Sequence, residues 1–229
     1  MLDRMWNRFG QQLRHPTGIL GSLTGWLMAI ANDKPNRLGI DALAPGPKDL
    51  VLELGSGPGW ALRTIAARTQ GGLAFGVDQS DRMLKQAANM NQAAIAAGRM
   101  RLIKGQFSPL PWIDCTFNKI LLVNAAYFFD SGGNDAAEIV RVLKPGGRLV
   151  VYVTARETME KWPFAGPDTH RTYDANELRK LLENAGFQPA GIRIQTVMLP
   201  FGIRGLLATA EKFYCAPVSD RRTAAGDHA

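Results

Sequence analysis

The segment Val51-Leu52-Glu53-Leu54-Gly55-Ser56-Gly57-Pro58-Gly59 runs an apolar stretch into a bend with three glycines, and a helical pattern starts at once behind it. Such a bend lets a ligand lie against bare main chain, because a side chain would fill that space. The helix start behind it favours a negative group. Pro58, read as the first helical residue, gives up an N–H that has no helical partner. Roughly twenty residues further on, Asp78 closes the next apolar run, where a carboxylate can accept both hydroxyls of a ribose. Together these residues describe a nucleoside site. A dinucleotide is the competing ligand, but its fingerprint wants a third glycine where this chain has Trp60, whose indole would obstruct close helix–strand packing. For Asp78 the competing role is a cap beside Ser80, and for the bend it is a turn that holds nothing.

The elements that must position these residues follow from periodicity. Leu50–Leu54, Leu73–Val77, Met100–Lys104, Lys119–Val123 and Arg148–Val153 carry Val, Ile and Leu on consecutive positions, as strands covered on both faces do. Ala61–Arg68, Asp81–Ala97 and Asp135–Leu143 read as helices, the second capped by Ser80 and stopped by Gly98. The alternation predicts an α/β fold, a doubly wound, Rossmann-like and mostly parallel sheet. Asp174 and Glu177 form a capping box for a helix that runs to Ala185, and Gly186 ends it. Gly191–Leu199 and Leu206–Phe213, joined by a connection that begins Pro200-Phe201-Gly202, predict a C-terminal antiparallel pair.

Composition narrows the class. The 229 residues suit one domain, and 46% hydrophobic with 21% charged residues excludes disordered and fibrous chains. The net charge is +7, but Lys and Arg are scattered and no basic run interleaves with stacking aromatics, which argues against nucleic acid. Cys115 and Cys215 make neither a metal pair nor a disulfide framework, and His15, His170 and His228 lie too far apart in sequence to be ligands, so no metal is expected. Gly18–Ala31 imitates a secretory signal behind Arg4, Arg8 and Arg14. Leu20, Leu23, Leu27 and Ile30 instead recur at helical spacing and predict an amphipathic helix, too short to span a bilayer.

The spacing Gly55, Gly57, Gly59 behind Glu53 resembles the first motif of class I S-adenosylmethionine-dependent methyltransferases, of the quinone-biosynthesis and natural-product type. Gly105-Gln106-Phe107-Ser108-Pro109-Leu110-Pro111 is similar to the family stretch Gly-Asp-Ala-x-x-Leu-Pro. Asp114-Cys115-Thr116-Phe117 resembles the turn before its fourth strand. Glu138 through Gly147 and Leu181 through Phe187 resemble later family segments. The resemblance implies S-adenosylmethionine as cofactor, held by Glu53, Gly55, Ser56, Gly57, Gly59, Asp78, Gln79, Gln106, Phe107 and Asn124. Gln106 stands where many members have an acid that bonds the adenine amino group, and its amide oxygen accepts the same bond without charge.

Methyl transfer from a sulfonium needs positioning more than catalytic groups. A base is required only when the acceptor must lose a proton. The catalytic candidates are Tyr127, in Asn124-Ala125-Ala126-Tyr127 at the exit of the fourth strand, and His170, in the long connection Thr154–Tyr173. Each has a plainer reading, a core aromatic and a surface-loop histidine. Asn32 and Asn36 can turn their amides into the cleft or serve as caps. Residues 1–45 are read as an N-terminal helical lid, 46–215 as the cofactor-binding domain and 216–229 as a flexible tail. The expected protein is a cytoplasmic enzyme acting on a small-molecule acceptor, its oligomeric state unassigned. The alternatives are a membrane-lipid acceptor, with peripheral membrane contact through Arg4–Ala31, and a non-catalytic cofactor-binding module.

Overall fold

Alternate residues of the central strands leave for opposite faces of one sheet, and each face meets its own helices. The computed structural model describes residues 33–162 and 171–213. The strands are β1 (Leu50–Leu54), β2 (Leu73–Asp78), β3 (Met100–Lys104), β4 (Phe117–Val123), β5 (Leu143–Thr154), β6 (Ile192–Met198) and β7 (Arg204–Glu211). They form one seven-stranded sheet in the order β3-β2-β1-β4-β5-β7-β6. The first five are parallel, and β7 lies antiparallel between β5 and β6.

Leu52, Leu54, Ile120, Leu122 and Val151 enter one core, with α5 (Asn134–Val142) and α7 (Ala175–Ala185) supplying Ile139, Val142, Leu178 and Leu182. Val51, Leu121, Val123, Val150 and Tyr152 enter the other, beneath α2 (Trp60–Arg68) and the helix α1 over residues 33–43. Arg148 ties α1 down, donating to the Ala42 carbonyl at 3.1 Å and to Glu211 at 2.9 Å. Asp174 and Glu177 make the expected capping box of α7. Among the described residues no helix is long and apolar enough to cross a membrane.

Three expectations need adjusting. The helix expected over Asp81–Ala97 is two pieces, α3 (Asp81–Met90) and α4 (Gln92–Ala96). The break is at buried Asn91, whose amide donates to the carbonyls of Ala87 and Gly59. An asparagine that competes for main-chain partners is a poor helix interior. β5 begins at Leu143 rather than Arg148, because Leu143 pairs with Phe117 before the register shifts and resumes at Lys119–Arg148. Pro58 is not helical: α2 starts at Trp60, and Gly59 caps it in the left-handed conformation. Residues 1–32, which hold most of the expected lid, and the 216–229 tail lie outside the described residues. The short helix α6 (Arg156–Met159) follows β5.

Candidate functional site

The bend after β1 is fastened to its neighbours by main chain. Gly55 and Ser56 both donate to the Val77 carbonyl at the end of β2, at 2.9 and 3.1 Å, and Gly59 donates back to Ser56 at 3.0 Å. Gly55, Gly57 and Gly59 all take positive φ. At Gly55 a Cβ would stand 2.7 Å from that of Ala125, and at Gly59 it would meet Ala87 at 2.9 Å, so the bend lies close to β4's exit on one side and to α3 on the other. At Gly57 the same test finds open space.

Asp78 locks the bend from the next strand. One carboxylate oxygen accepts from Gly57 at 2.9 Å and the other from Ser80 at 2.8 Å, while Ser80 caps α3 through Met83. Of the roles weighed for Asp78, the one beside Ser80 at the entry to α3 is thus present, and the same side chain holds the glycine bend. Glu53, on the face that turns toward α2, is 3% exposed and its Oε2 has no hydrogen-bond partner; Ser56 Oγ is likewise buried and unsatisfied. Burial, and then the nearby charge of Asp78, push the Glu53 carboxyl well above the usual range against an opposing bond from the Leu62 amide. Buried polar atoms of this kind ordinarily have partners.

These residues border a cleft of about 530 Å³ at the carboxyl edge of the sheet. Of the expected cofactor residues, Glu53, Gly55, Ser56, Gly57, Asp78, Gln79, Gln106, Phe107 and Asn124 all line it; Gly59 does not, and instead packs behind the bend. Asn36 of α1 lines it as well. Asn32 and His170 lie outside the described residues.

Tyr127 stands off the cleft, in keeping with the core-aromatic reading of its placement. It is absent from the cleft wall, buried, and bonded at 2.7 Å to Asn124 Oδ1, while Thr154 N–H donates to both of these oxygens. Burial raises its pKa above that of an ordinary phenol. Asn124 itself is left-handed, with φ 52°, and is held by a 2.8 Å bond from its N–H to Tyr152.

The wall that follows β4 contains residues that sequence reasoning missed. Phe128 and Phe129 follow Tyr127, and the Phe129 ring meets Phe107 edge-on at 5.6 Å. Asp130 and Asp135 exchange carboxylate bonds with each other's N–H groups at 2.8 Å. Those bonds pull the Asp130 carboxyl below its usual range, whereas burial raises that of Asp135. The spacing Asp130-x-x-x-x-Asp135 was the available signal, though a pair that only caps would look the same in sequence. Among the described residues the lining holds four carboxylates, Glu53, Asp78, Asp130 and Asp135, and no Lys, Arg or His.

Residues 51–147 match a family described as a methyltransferase domain. The uncharacterized methyltransferase YdaC of Bacillus subtilis (strain 168) is 26% identical over 190 residues, which cover 83% of this chain and 98% of YdaC. The ubiquinone/menaquinone biosynthesis C-methyltransferase UbiE of Geotalea daltonii is 28% identical over 116 residues, half of this chain and 49% of UbiE. The fold is shared with the Burkholderia thailandensis 1,6-didemethyltoxoflavin-N1-methyltransferase, solved with S-adenosylhomocysteine. That structure superposes with a TM-score of 0.63 at 21% identity, over 82% of this chain and 81% of the other. Residues 51–147 are thus a methyltransferase domain, and the chain is similar to class I S-adenosylmethionine-dependent methyltransferases.

The cleft of this methyltransferase fits such a cofactor. Open space over Gly57 leaves room against the main chain, and the unsatisfied oxygens of Glu53 and Ser56 offer acceptors to an ammonium group. The all-acidic set of charged lining residues suits a ligand carrying positive charge on both sulfur and nitrogen.

Proposed function

We propose that this methyltransferase acts on a small, largely apolar acceptor held over the ends of β1 and β4. The observation that carries this reading is the wall facing the bend, where Phe107, Phe128 and Phe129 stand beside Ala125 with no cationic side chain among the described lining residues. The cleft volume falls in the range of small-molecule sites. A phosphate-rich acceptor would meet repulsion from Asp130 and Asp135. One similar protein points the same way by name, for ubiquinone/menaquinone biosynthesis.

S-adenosylmethionine, when bound, supplies an electrophilic methyl group on a sulfonium. In this reading Gly55, Ser56 and Gly57 give it a main-chain floor, and Gly59 shapes that floor from behind. Asp78 takes the ribose hydroxyls while keeping the bend in register. Gln79, Gln106 and Phe107 flank the base, and Glu53 faces the ammonium end. Asn124 borders the acceptor, with Tyr127 as a positioning residue that holds its amide through the 2.7 Å bond. His170 serves as base only for acceptors that must lose a proton. We read residues 1–45 as a lid, supported by Asn36 reaching the cleft from α1, and place the enzyme in the cytosol, where this cofactor is made and used.

The test is incubation of the protein with methyl-labelled cofactor and a cell extract, followed by mass spectrometry. Label in a low-mass organic product supports the reading; label confined to nucleic acid or protein overturns it.

A further inference from the structure

We infer that the tip of the β6–β7 hairpin inserts into an anionic phospholipid surface, and that the acceptor enters the cleft from that surface. The second clause rests on the apolar-acceptor reading above; the first does not.

The tip is Met198-Leu199-Pro200-Phe201-Gly202-Ile203, six residues with no charged or hydrogen-bonding side chain. Phe201 is 100% exposed and Met198 55%. Leu199 N–H closes the turn on the Ile203 carbonyl at 2.8 Å, with Phe201 at its extremity. The fold gains no burial from this ring, and exposed apolar groups gathered at one place mark contact surfaces.

Topology sets the tip beside the cleft. β7 is antiparallel to both β5 and β6, so β6 runs in the direction of β1 and β4 and ends at the same edge of the sheet. Arg204, at the foot of the tip, accepts from Ala155 at 2.9 Å, and Gly205 pairs with Thr154. Thr154 N–H in turn donates to Asn124 of the cleft wall. Hydrogen bonds through the Thr154 main chain therefore join the hairpin's foot to the Asn124 side chain at the site, and a surface that receives the tip lies along the edge where the cleft opens.

Charge selects the kind of surface. The chain carries +7 overall, while the cleft holds only acids among its described charged residues, so the basic excess lies on the exterior. Arg204, which follows the tip, is exposed but paired with Glu157 at 3.0 Å, and exposed Lys161 follows α6, whose Thr158 hydroxyl accepts from Arg204 N–H. An apolar projection on a chain of net positive charge, with Lys161 near its foot, suits an anionic lipid interface. A second copy of the chain fits less well. One ring and one thioether on a protruding turn offer far less than the roughly 800 Å² per partner of a stable pair, whereas lipid needs no matching socket.

The experiment is flotation of the full chain with phosphatidylcholine–phosphatidylglycerol vesicles and with phosphatidylcholine alone. Wild type is expected to float with the mixed vesicles, less so at high salt. Phe201→Ser lowers its partitioning about tenfold, the loss expected for one buried aromatic ring. Met198→Ser lowers it less. Both variants keep the wild-type circular dichroism and cofactor affinity, because neither residue lines the cleft. The inference is overturned if wild type floats with neither vesicle, if both variants float as wild type does, or if Phe201→Ser only dissociates a dimer. Failure of the acceptor reading registers instead in the labelled-methyl experiment, which flotation does not touch.

Discussion

On the β1–β2 side of the cleft the wall is main chain, with two amides on the Val77 carbonyl and a glycine bend pinned by Asp78. On the β4–β5 side it is made of side chains, with Asn124 held by Tyr127 and Thr154, a pair of phenylalanines, and two aspartates that cap each other. A main-chain wall admits few alternatives, because each glycine is required by a positive φ or a close neighbour. A side-chain wall can be rebuilt residue by residue while the strands behind it stay in place. The first side therefore suits a ligand shared by many enzymes, and we propose that the second is where an acceptor is chosen.

The largest effect that would test this contrast is Gly55→Ala. Its Cβ would stand 2.7 Å from Ala125 at a φ of 71°. The expected loss is about 2–4 kcal/mol of stability, from overpacking and left-handed strain combined. That is a fall of roughly 5–15 °C in thermal midpoint for a chain of this size. Gly57→Ala sharpens the same point: with nothing near its Cβ, it should cost only about 1 kcal/mol of stability yet weaken cofactor binding. Equal destabilisation by the two changes would refute the distinction between a packed and an open glycine.

Next comes Glu53→Gln. Burial and Asp78 raise the Glu53 pKa in the free protein, so the folded state holds this proton more tightly than the unfolded one. The stability that gives is complete below the ordinary carboxylate range and lost as pH rises through the elevated value. Glutamine cannot ionise, so the free variant should overtake wild type in stability as pH increases. Its cofactor affinity should nevertheless drop about tenfold or more, for want of a charge-assisted bond. Thermal melts across pH check the first outcome and calorimetry the second; parallel pH profiles for the two proteins would remove the buried charge from the account.

The smallest effect belongs to the acceptor side. Tyr127→Phe removes the bond to Asn124 and should cost about 1 kcal/mol of stability. Turnover should fall several-fold, with cofactor affinity and the pH–rate profile unchanged. Loss of a limb of that profile would make the phenol a proton carrier and contradict its positioning role.

The sequence was most informative where local chemistry decides the structure. β1 and β3 have the expected bounds, since apolar runs between turn residues leave little choice. The α7 capping box was readable because its bonds span three residues. What stayed hidden depends on distant partners. Nothing near Asn91 reveals that its amide reaches Gly59, 32 residues away, and splits a helix there. Pro58 looked like a helix start until Gly59, crowded by Ala87, took the left-handed cap. On the cleft, nine of the ten expected cofactor residues line the wall. Tyr127 takes the core-aromatic reading in its placement because its hydroxyl accepts from Thr154 of β5, and Phe128, Phe129 and Asp130 are not legible because only the folded loop brings them to the opening.

The most direct test is calorimetric titration of S-adenosylmethionine into wild type and Asp78→Ala. The account predicts saturable one-site binding to the wild type and a loss on the order of 1–3 kcal/mol in the variant, since ribose hydroxyls and two backbone amides lose their acceptor together. Equal affinity in the two proteins would place the nucleoside away from the β1–β2 bend and contradict the account at its centre.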